Sequence, residues 1–264
     1  MQEAFIKLKK EFEIIKEKGY IKGIYNSSSS IGRTFEQEIG LSMNKESMPD
    51  YNGIEIKTRR TYTKNFITLF SAVPDGKDPL EVKRITNTYG YPYYRDHRYK
   101  CLYAEVFGNN YNYGGKNYKY KLDVDHQEEK VYLCIYGKNN NLIEKEAFWS
   151  FKYLQDKLEN KLKKLALIHA LVKKVNGWNY FNYYQINFYI LKKSNVFFKL
   201  LENGIIKLSL KIDIYLDEDN YGKMYDHGCS FSISESNLEK LFNKYIIDVD
   251  KQNTTDKQWI TIIK

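Results

Sequence analysis

The chain has 264 residues, with 42 lysines and arginines against 33 aspartates and glutamates, so its formal net charge is +9. This length suits one large domain or two lobes, and the basic excess favours an anionic partner, with nucleic acid a better fit than a membrane surface. The charged N-terminus lacks the apolar core of a signal peptide, and no apolar run approaches the ~18 residues of a transmembrane helix. We therefore expect a cytoplasmic protein without a membrane partner.

Cysteine and histidine usage argues against a disulfide framework or a zinc site. The cysteines are three in number, widely spaced and without a Cys-x-x-Cys pair, and we expect buried thiols at Cys101, Cys134 and Cys229. The histidines have no spacing typical of zinc ligands: His97, His126, His169 and His227. His169, flanked by alternating apolar residues, is interpreted as a structural histidine.

The N-terminal part predicts two amphipathic helices. The first covers residues 2–18, and its apolar side chains recur at helical spacing: Phe5, Leu8, Phe12 and Ile15. The second begins at the serine run 28–30, which suits an N-cap, and ends at Gly40. One face of this helix is apolar and carries Ile31, Phe35 and Ile39. Glu36 lies beside that face.

Residues 49–57, Pro-Asp-Tyr-Asn-Gly-Ile-Glu-Ile-Lys, predict a tight turn followed by a short strand. Because side chains alternate along a strand, Glu55 and Lys57 should share one face while the two isoleucines point into a core. The Asn-Gly turn should bring Asp50 beside Glu55. Two carboxylates held in this way suit a hard divalent cation such as Mg²⁺, and a neighbouring lysine can position a water or steady a phosphate. The pattern predicts phosphodiester chemistry.

The Glu-x-Lys spacing alone is not specific, because it recurs at Glu81/Lys83, Glu128/Lys130 and Glu159/Lys161. The segment from Asp78 imitates the whole motif, but Asp78 suits a helix N-cap and Pro79 the first helical position, so Glu81 and Lys83 should diverge around a helix. The pair at Glu159 lies in a charged amphipathic stretch with the same difficulty. The pair at Glu128 precedes a strand but has no Pro-Asp turn before it.

The rest of the chain alternates between helical and strand-like patterns. We predict helices at 79–89, 146–160 and 195–202, and strands at 66–70, 100–107, 117–124, 130–137, 164–174, 179–191 and 205–216. The strands at 117–124 and 130–137, joined by a short polar link, predict a hairpin.

Several short segments together carry a family resemblance. In the first half they are Gly32, Phe35-Glu36, Pro49-Asp50, the run from Gly53 to Arg60, and Thr68-Leu69-Phe70. In the second half they are the runs from Phe197 to Ile206 and from Tyr225 to Ile233. The chain resembles the MvaI/BcnI-like restriction endonucleases, relatives of the mismatch-repair nickase MutH among the PD-(D/E)xK nucleases. The resemblance extends over about residues 1–247. Ser232 stands where the family pattern has an arginine, which puts the recognition sequence in doubt.

The resemblance implies a type II restriction endonuclease that hydrolyses double-stranded DNA with Mg²⁺. Such an enzyme is expected to act as a monomer that cuts one strand at a time, in a genome that also encodes a cognate DNA methyltransferase. The implied fold is mixed α/β (α+β), a restriction-endonuclease-like sheet core flanked by helices, with two lobes around a DNA cleft. We expect the catalytic lobe at residues 1–150 and the DNA-recognition lobe at residues 151–264.

The resemblance also assigns roles to residues. Asp50 and Glu55 are expected to bind the metal together with the carbonyl of Ile56, Lys57 to position the attacking water, and Glu36 to support Lys57 or a water. Independently of the resemblance, four basic residues lie close to this site in sequence, and some of them should contact phosphates: Arg33, Arg59, Arg60 and Lys64. Base reading is expected from the second half, at Asp226, His227, Ser230 and Ser232.

Alternatives remain open at the sequence level. Arg59 or Arg60 can instead pair with an acidic neighbour, and Asp226 can cap backbone amides in a turn where His227 only packs. A MutH-like repair nickase shares the same chemistry and depends on partner proteins. A catalytically inert DNA-binding module is disfavoured, because binding alone has no use for clustered carboxylates that repel phosphate.

Overall fold

The structure is a computed structural model, and it describes residues 2–27, 29–41, 49–63, 66–75 and 81–247. The predicted N-cap at Ser28, the predicted phosphate contact Lys64 and the predicted helix start at Asp78 and Pro79 lie outside the described residues. Among the residues described, no helix has the length and apolar character needed to cross a membrane.

The described part of the chain contains six helices and sixteen strands. The helices are α1 (Gln2–Glu17), α2 (Ser30–Glu38), α3 (Glu81–Tyr89), α4 (Phe151–Leu162), α5 (Val196–Glu202) and α6 (Leu238–Leu241), the last preceded by a 3-10 turn at Glu235–Asn237. The strands are β1 (Tyr20–Lys22), β2 (Glu55–Arg60), β3 (Ile67–Ser71), β4 (Tyr91–Tyr93), β5 (Asp96–Val106), β6 (Asn112–Tyr113), β7 (Lys119–Asp125), β8 (Lys130–Tyr136), β9 (Leu142–Glu144), β10 (Phe148–Ser150), β11 (Lys164–Val175), β12 (Trp178–Leu191), β13 (Ile206–Ile214), β14 (Met224–Asp226), β15 (Ser230–Ile233) and β16 (Phe242–Tyr245).

These strands form three sheets without a closed barrel. The first has the order β1-β12-β11-β2, with β16 also pairing with β12; the second runs β10-β8-β7-β6, with β9 on β8; the third runs β3-β15-β13-β5-β4, with β14 on β13. Within the first sheet β2 and β11 are parallel, and the other pairs are antiparallel. The predicted mixed α+β class is confirmed.

The chain divides into two compact units, each assembled from separated stretches of sequence. The first comprises Met1–Asn65, Glu159–Lys192 and Phe242–Lys264, and the second comprises Phe66–Leu158 and Lys193–Leu241. The first unit crosses the predicted lobe boundary at residue 150, because β2 takes its sheet partner β11 from more than 100 residues away. Two lobes at 1–150 and 151–264 therefore do not coincide with these compact units. The division of catalysis and recognition between them stays a prediction.

In the first unit α1 and α2 pack against one face of the β1-β12-β11-β2 sheet. The predicted stripe of α1 is buried in this core: Phe5, Leu8, Phe12 and Ile15. The ring of Phe5 lies 4.8 Å from that of Phe188, and Phe35 of α2 lies 5.2 Å from Tyr183, measured between centroids. Burying a side chain of this size contributes roughly 1.5–3 kcal/mol. The apolar stripes thus fix both helices on the sheet that carries β2.

In the second unit the predicted hairpin is confirmed as β7 and β8, paired in antiparallel register. The helix predicted at 146–160 begins later, at Phe151, because Phe148–Ser150 pair with β8 as a strand. Ser150 Oγ accepts from Tyr153 N–H and so caps the start of α4, and Asp75 accepts hydrogen bonds from the N–H and hydroxyl of Ser150. The predicted buried free thiols are confirmed at Cys101, Cys134 and Cys229.

Candidate active site

The turn before β2 has the conformation that its Asn-Gly pair predicts. Asn52 and Gly53 adopt φ values of 46° and 77°, and Tyr51 and Ile54 exchange backbone hydrogen bonds of 3.0 and 2.8 Å. Both central residues thus have positive φ, as in a type I′ turn. The hydroxyl of Tyr51 donates to Glu11 Oε1 at 2.8 Å, which anchors the turn to α1.

Asp50 folds back onto the start of β2. Its Oδ2 accepts a hydrogen bond of 2.9 Å from the backbone N–H of Ile56. The aspartate is close enough for its charge to raise the pKa of the Glu55 carboxyl. The predicted juxtaposition of Asp50 and Glu55 is confirmed.

Glu55 is a buried carboxylate, with 1% of its surface exposed. Its Oε1 lies 2.5 Å from Lys57 Nζ, so the two side chains share a face of β2 as predicted, while Ile54 and Ile56 belong to the core on the other face. Its Oε2 is also buried and has no hydrogen-bond partner among the described residues. Burial raises the pKa of this carboxyl, and the attraction of Lys57 only partly opposes the rise.

A second lysine, which the sequence reading missed, completes the surroundings of Glu55. Lys161 Nζ, from the last turn of α4, lies 3.5 Å from Glu55 Oε1 and also lowers the pKa of this carboxyl. Lys161 belongs to Glu159/Lys161, one of the Glu-x-Lys pairs that local pattern places in an amphipathic stretch away from the motif. The signal that identifies it is the pairing of Glu55 with Leu165 in β11, just beyond the end of α4. That pairing is not readable from local sequence.

The remaining look-alikes are structural ion pairs. Glu81 is 5% exposed and holds Arg84, which also contacts Glu144. Glu128 and Lys130 form a solvent-exposed pair at 2.9 Å at the start of β8. Neither brings two carboxylates and a lysine together as the site at β2 does.

The donor set at β2 fits a hard divalent cation. An unpartnered buried carboxylate oxygen is costly, and a cation is the partner that would satisfy it. Asp50, Glu55 and the carbonyl of Ile56 would hold the ion. In the described part of the chain, no group of three or more His, Cys, Asp or Glu side chains has a metal-binding arrangement. The two-carboxylate set agrees with a Mg²⁺ site that keeps several waters.

Glu36 has a partner on its own helix, and its predicted support of Lys57 or a water stays a prediction. Its carboxylate pairs with Arg33 at 2.9 Å, and among the described residues it makes no hydrogen bond or ion pair with Lys57. A Cβ added to Gly32 would lie 3.2 Å from Thr58 Oγ1, so α2 approaches β2 on the face opposite Lys57. Arg33 is likewise engaged within the protein.

The arginines of β2 differ from each other. Arg59 donates to the backbone carbonyl of Thr63, an internal partner that is not an acidic side chain. The Arg60 side chain is half-buried and has no ion pair within the described ranges. Contact of either arginine with phosphate stays a prediction.

In the second unit, His227 is held at the end of β14. Its Nε2 lies 3.2 Å from Asp213 Oδ1, its ring lies 4.3 Å from that of Tyr225, and 38% of its side chain is exposed. The hydroxyl of Tyr103 donates to the same aspartate. Asp226 accepts a 2.7 Å hydrogen bond from Gly228 N–H, which is the capping role considered as its alternative. His227 is therefore oriented and accessible.

The two serines of β15 differ in accessibility. Ser232 is 4% exposed and lies in the sheet between Lys207 and Thr68, so its hydroxyl has little access to a base, and we leave it out of the proposed reading set. Ser230 is half-buried and keeps some exposure.

Comparison with known proteins decides the family. The profile of the MvaI/BcnI restriction endonuclease family matches residues 9–242. The chain belongs to the MvaI/BcnI restriction endonuclease family. It is similar to the structure of a restriction endonuclease MvaI-cognate DNA substrate complex, with a TM-score of 0.84 and 29% identity over 92% of this chain and 98% of that one. It is also similar to restriction endonuclease MvaI in the absence of DNA, with a TM-score of 0.61 and 29% identity over 92% and 97% of the two chains. No match was found among curated proteins.

Membership of the MvaI/BcnI family makes this chain a type II site-specific deoxyribonuclease. Restriction endonucleases generally use divalent metal ions, which agrees with the donor set of Asp50 and Glu55. The family match also favours restriction over the repair alternative raised by the sequence.

Proposed function

We propose that this MvaI/BcnI family member is a Mg²⁺-dependent, sequence-specific endonuclease of double-stranded DNA, with its reacting site at Asp50, Glu55 and Lys57. One observation carries the proposal. Glu55 is a buried carboxylate with one oxygen held by two lysines and the other without a partner among the described residues. Such a group is destabilising unless a cation completes it, which favours a metal-assisted reaction over a purely structural role.

A bound Mg²⁺ supplies Lewis-acid stabilisation of the charge that develops on the phosphoryl oxygens. Asp50 is held by the Ile56 N–H, so it is oriented before any ligand arrives. Lys57 donates one ammonium hydrogen to Glu55, and its two other hydrogens can orient the attacking water or contact the scissile phosphate. Lys161 lowers the pKa of Glu55 and so favours the ionised carboxylate, which is the form that binds a cation.

Double-stranded DNA is the proposed substrate, since the similar MvaI structure is a complex with cognate DNA. His227 and Ser230 are proposed to read bases, and Asp226 to shape the turn that presents His227. The proposed set of Asp50, Glu55 and Lys57 supplies one site per chain. We propose a cytoplasmic monomer that cuts one strand, rebinds in the opposite orientation and cuts the other. A cognate DNA methyltransferase would protect the host sites.

The proposal is tested by incubating the purified protein with unmethylated genomic DNA and Mg²⁺, and sequencing the fragment ends. We expect ends that share one short sequence, a nicked intermediate on plasmid DNA, and loss of cutting in EDTA. Random ends, or equal cutting in Mg²⁺ and EDTA, would contradict a metal-dependent site-specific enzyme.

A further inference from the structure

One face of the first unit's sheet is exposed where β1, β12 and β11 run beyond the end of β2. Lys22, Tyr180 and Lys173 are directly opposite one another in register, and Tyr20 and Leu171 flank Asn182 in the next row. Residues opposite each other in neighbouring strands project to the same side of a sheet. We call this surface the lysine–aromatic face, formed by Tyr20, Lys22, Leu171, Lys173, Trp178 and Tyr180.

Aromatic rings, and not carboxylates, hold the two lysines of this face. Lys22 Nζ lies 4.1 Å from the ring centroid of Trp178, and Lys173 Nζ lies 4.0 Å from that of Tyr20. Neither lysine has an ion pair within the part of the chain that the structure describes. A cation–π contact orients an ammonium group without neutralising its charge. The face therefore presents two positioned positive charges beside exposed rings.

The strands that form this face contain no acidic residue. Residues 18–35 lack aspartate and glutamate, and residues 160–201 contain eight lysines and again no acid, in a chain that has 33 acids overall. A surface with charge of one sign raises the local concentration of an oppositely charged partner. Charge complementarity thus points to a polyanion, and a regular array of phosphates suits it better than an acidic protein patch.

The face is continuous with the catalytic strand. Glu55, Lys57 and Arg59 pair in register with Leu165, Leu167 and His169 of β11. Leu171 and Lys173 follow at alternate positions of β11 and so project to the same side. Lys173 lies eight residues beyond Leu165, which is about 26 Å along the strand. This distance corresponds to about eight base pairs of duplex.

We propose that the lysine–aromatic face binds the sugar-phosphate backbone of duplex DNA flanking the cut site. Lys22 and Lys173 contact phosphates, and the rings of Tyr20 and Trp178 hold the two ammonium groups in place and pack against the sugars. This inference rests on the proposed function, since it assumes that duplex DNA occupies the site at Glu55. The face adds affinity that does not depend on base sequence.

Equilibrium binding of the full chain to a 30-base-pair duplex of random sequence, measured over a range of salt concentrations, tests the inference. The double variant Lys22→Ala/Lys173→Ala should bind more weakly and reduce the log-log salt slope by about 1.8, twice the 0.9 expected for each phosphate contact. Lys22→Arg/Lys173→Arg should keep the wild-type slope. The matched control is Lys119→Ala/Lys121→Ala, which removes two lysines lying over Tyr113 and Tyr111 on a different sheet. That control should leave the slope within about 0.3 of wild type.

A double alanine variant that keeps the wild-type slope, or a control that loses as much, would overturn the inference. A change confined to self-association in analytical ultracentrifugation would overturn it too, and would assign the face to contact between copies of the chain. Cleavage of unmethylated genomic DNA by the wild-type protein, scored in parallel, separates this failure from failure of the proposed function. If the wild type cuts and the double variant binds normally, only the lysine–aromatic face has been misassigned.

Discussion

At the scale of single residues, the buried carboxylate of Glu55 serves the proposed chemistry but lowers the stability of the folded protein. Burial raises the pKa of its carboxyl, while Lys57 and Lys161 lower it. A buried carboxylate with an unpartnered oxygen disfavours the folded protein when no cation is bound. Active sites commonly retain such destabilising groups because function requires them.

The destabilising effect of the buried carboxylate predicts how Glu55→Gln changes the free energy of unfolding. Because the folded-state pKa is raised, the folded protein binds more protons than the unfolded chain between the two pKa values, so the free energy of unfolding falls as pH rises through that interval. Glu55→Gln removes this pH-dependent fall in the free energy of unfolding, because glutamine does not ionise. Without divalent cation at pH 8, the variant should unfold about 2–4 °C above wild type, as expected for about 1 kcal/mol. At pH 4 the two should nearly coincide.

Thermal unfolding scans with and without Mg²⁺ provide the check. Mg²⁺ should raise the unfolding temperature of wild type, because it binds only the folded state, and should not raise that of Glu55→Gln. Glu128→Gln, in an exposed Glu-x-Lys pair, should keep the Mg²⁺ response of wild type. An undiminished Mg²⁺ response in Glu55→Gln would show that Glu55 is not a ligand.

Lys161 is predicted to act as a positioning residue through the charge on Glu55. Lys161→Ala removes a contact that lowers the Glu55 pKa, so the acid limb of the pH–rate profile should move to higher pH. Cleavage should fall most at pH 6 and approach the wild-type rate near pH 9. Lys161→Arg should restore the profile. A uniform loss at every pH would show that Lys161 serves folding or DNA contact instead.

At the scale of elements, the Asn52-Gly53 turn aligns Asp50 with β2. Gly53 has φ +77° and nothing within 4 Å of an added Cβ, so Gly53→Ala introduces backbone strain without a clash. The strain costs about 1–2 kcal/mol, and relief of it by opening the turn should displace Asp50 from the Ile56 N–H. At saturating DNA, where weaker binding no longer limits the rate, cleavage should still fall more than ~10-fold because Asp50 is out of position.

Gly19→Ala is the matched control for that turn. Gly19 has φ +67° and is equally open, but it lies between α1 and β1. Its substitution should cost similar stability in denaturant unfolding while cleavage at saturating DNA stays near wild type. Equal losses of cleavage in both variants would mean that the Gly53 effect is only a stability effect.

The paired strands β13 and β14 position His227, which we predict to contribute to sequence specificity. Asp213 accepts from the Nε2 side of the ring, which leaves Nδ1 to face a base edge. His227→Ala should lower cognate cleavage by about one to two orders of magnitude, in line with 1–3 kcal/mol for a base contact, and change random-duplex affinity only a few-fold. Asp213→Asn should share the defect, because it releases the ring.

Cleavage of cognate fragments compared with binding to random duplex checks this element. His126→Ala is a matched control, since His126 is exposed and also pairs with a carboxylate, that of Glu202 at 2.9 Å. It should change neither quantity. Equal losses of cognate and random affinity in His227→Ala would assign His227 to folding or phosphate contact.

At the scale of the whole molecule, features formed by neighbouring residues could be predicted from the sequence, whereas features that depend on pairing between distant strands could not. The alternation of Ile54, Glu55 and Ile56 and the Asn-Gly turn act over a few residues, so the core of the site was readable. Lys161 and the interleaved units depend on β2 pairing with β11 across more than 100 residues, and local sequence carries no signal for that register. Glu36 has an i,i+3 ion pair with Arg33 on α2, and its support of Lys57 or a water stays a prediction.

Of the Glu-x-Lys pairs outside the site, Glu128/Lys130 is a better control than Glu81/Lys83. The set Glu81/Lys83 imitates the motif in sequence, but Glu81 is buried against Arg84 and its loss would disturb folding. Glu128/Lys130 has the same spacing and the same ion pair on an exposed strand end. Substituting this pair therefore measures the effect on cleavage of losing a Glu-x-Lys pair that lies outside the proposed active site.

The most direct test of the central claim compares cleavage by Asp50→Asn with cleavage by the double control Glu128→Gln/Lys130→Ala. Each protein is given unmethylated DNA and Mg²⁺, with duplex binding measured alongside. Asp50→Asn should lose at least about 10²–10³-fold in cleavage rate, while its DNA binding stays at wild-type level or tightens through lost repulsion. The control should cut as wild type does. Wild-type cutting by Asp50→Asn, together with loss of cutting in the control, would contradict the assignment of the active site to Asp50, Glu55 and Lys57.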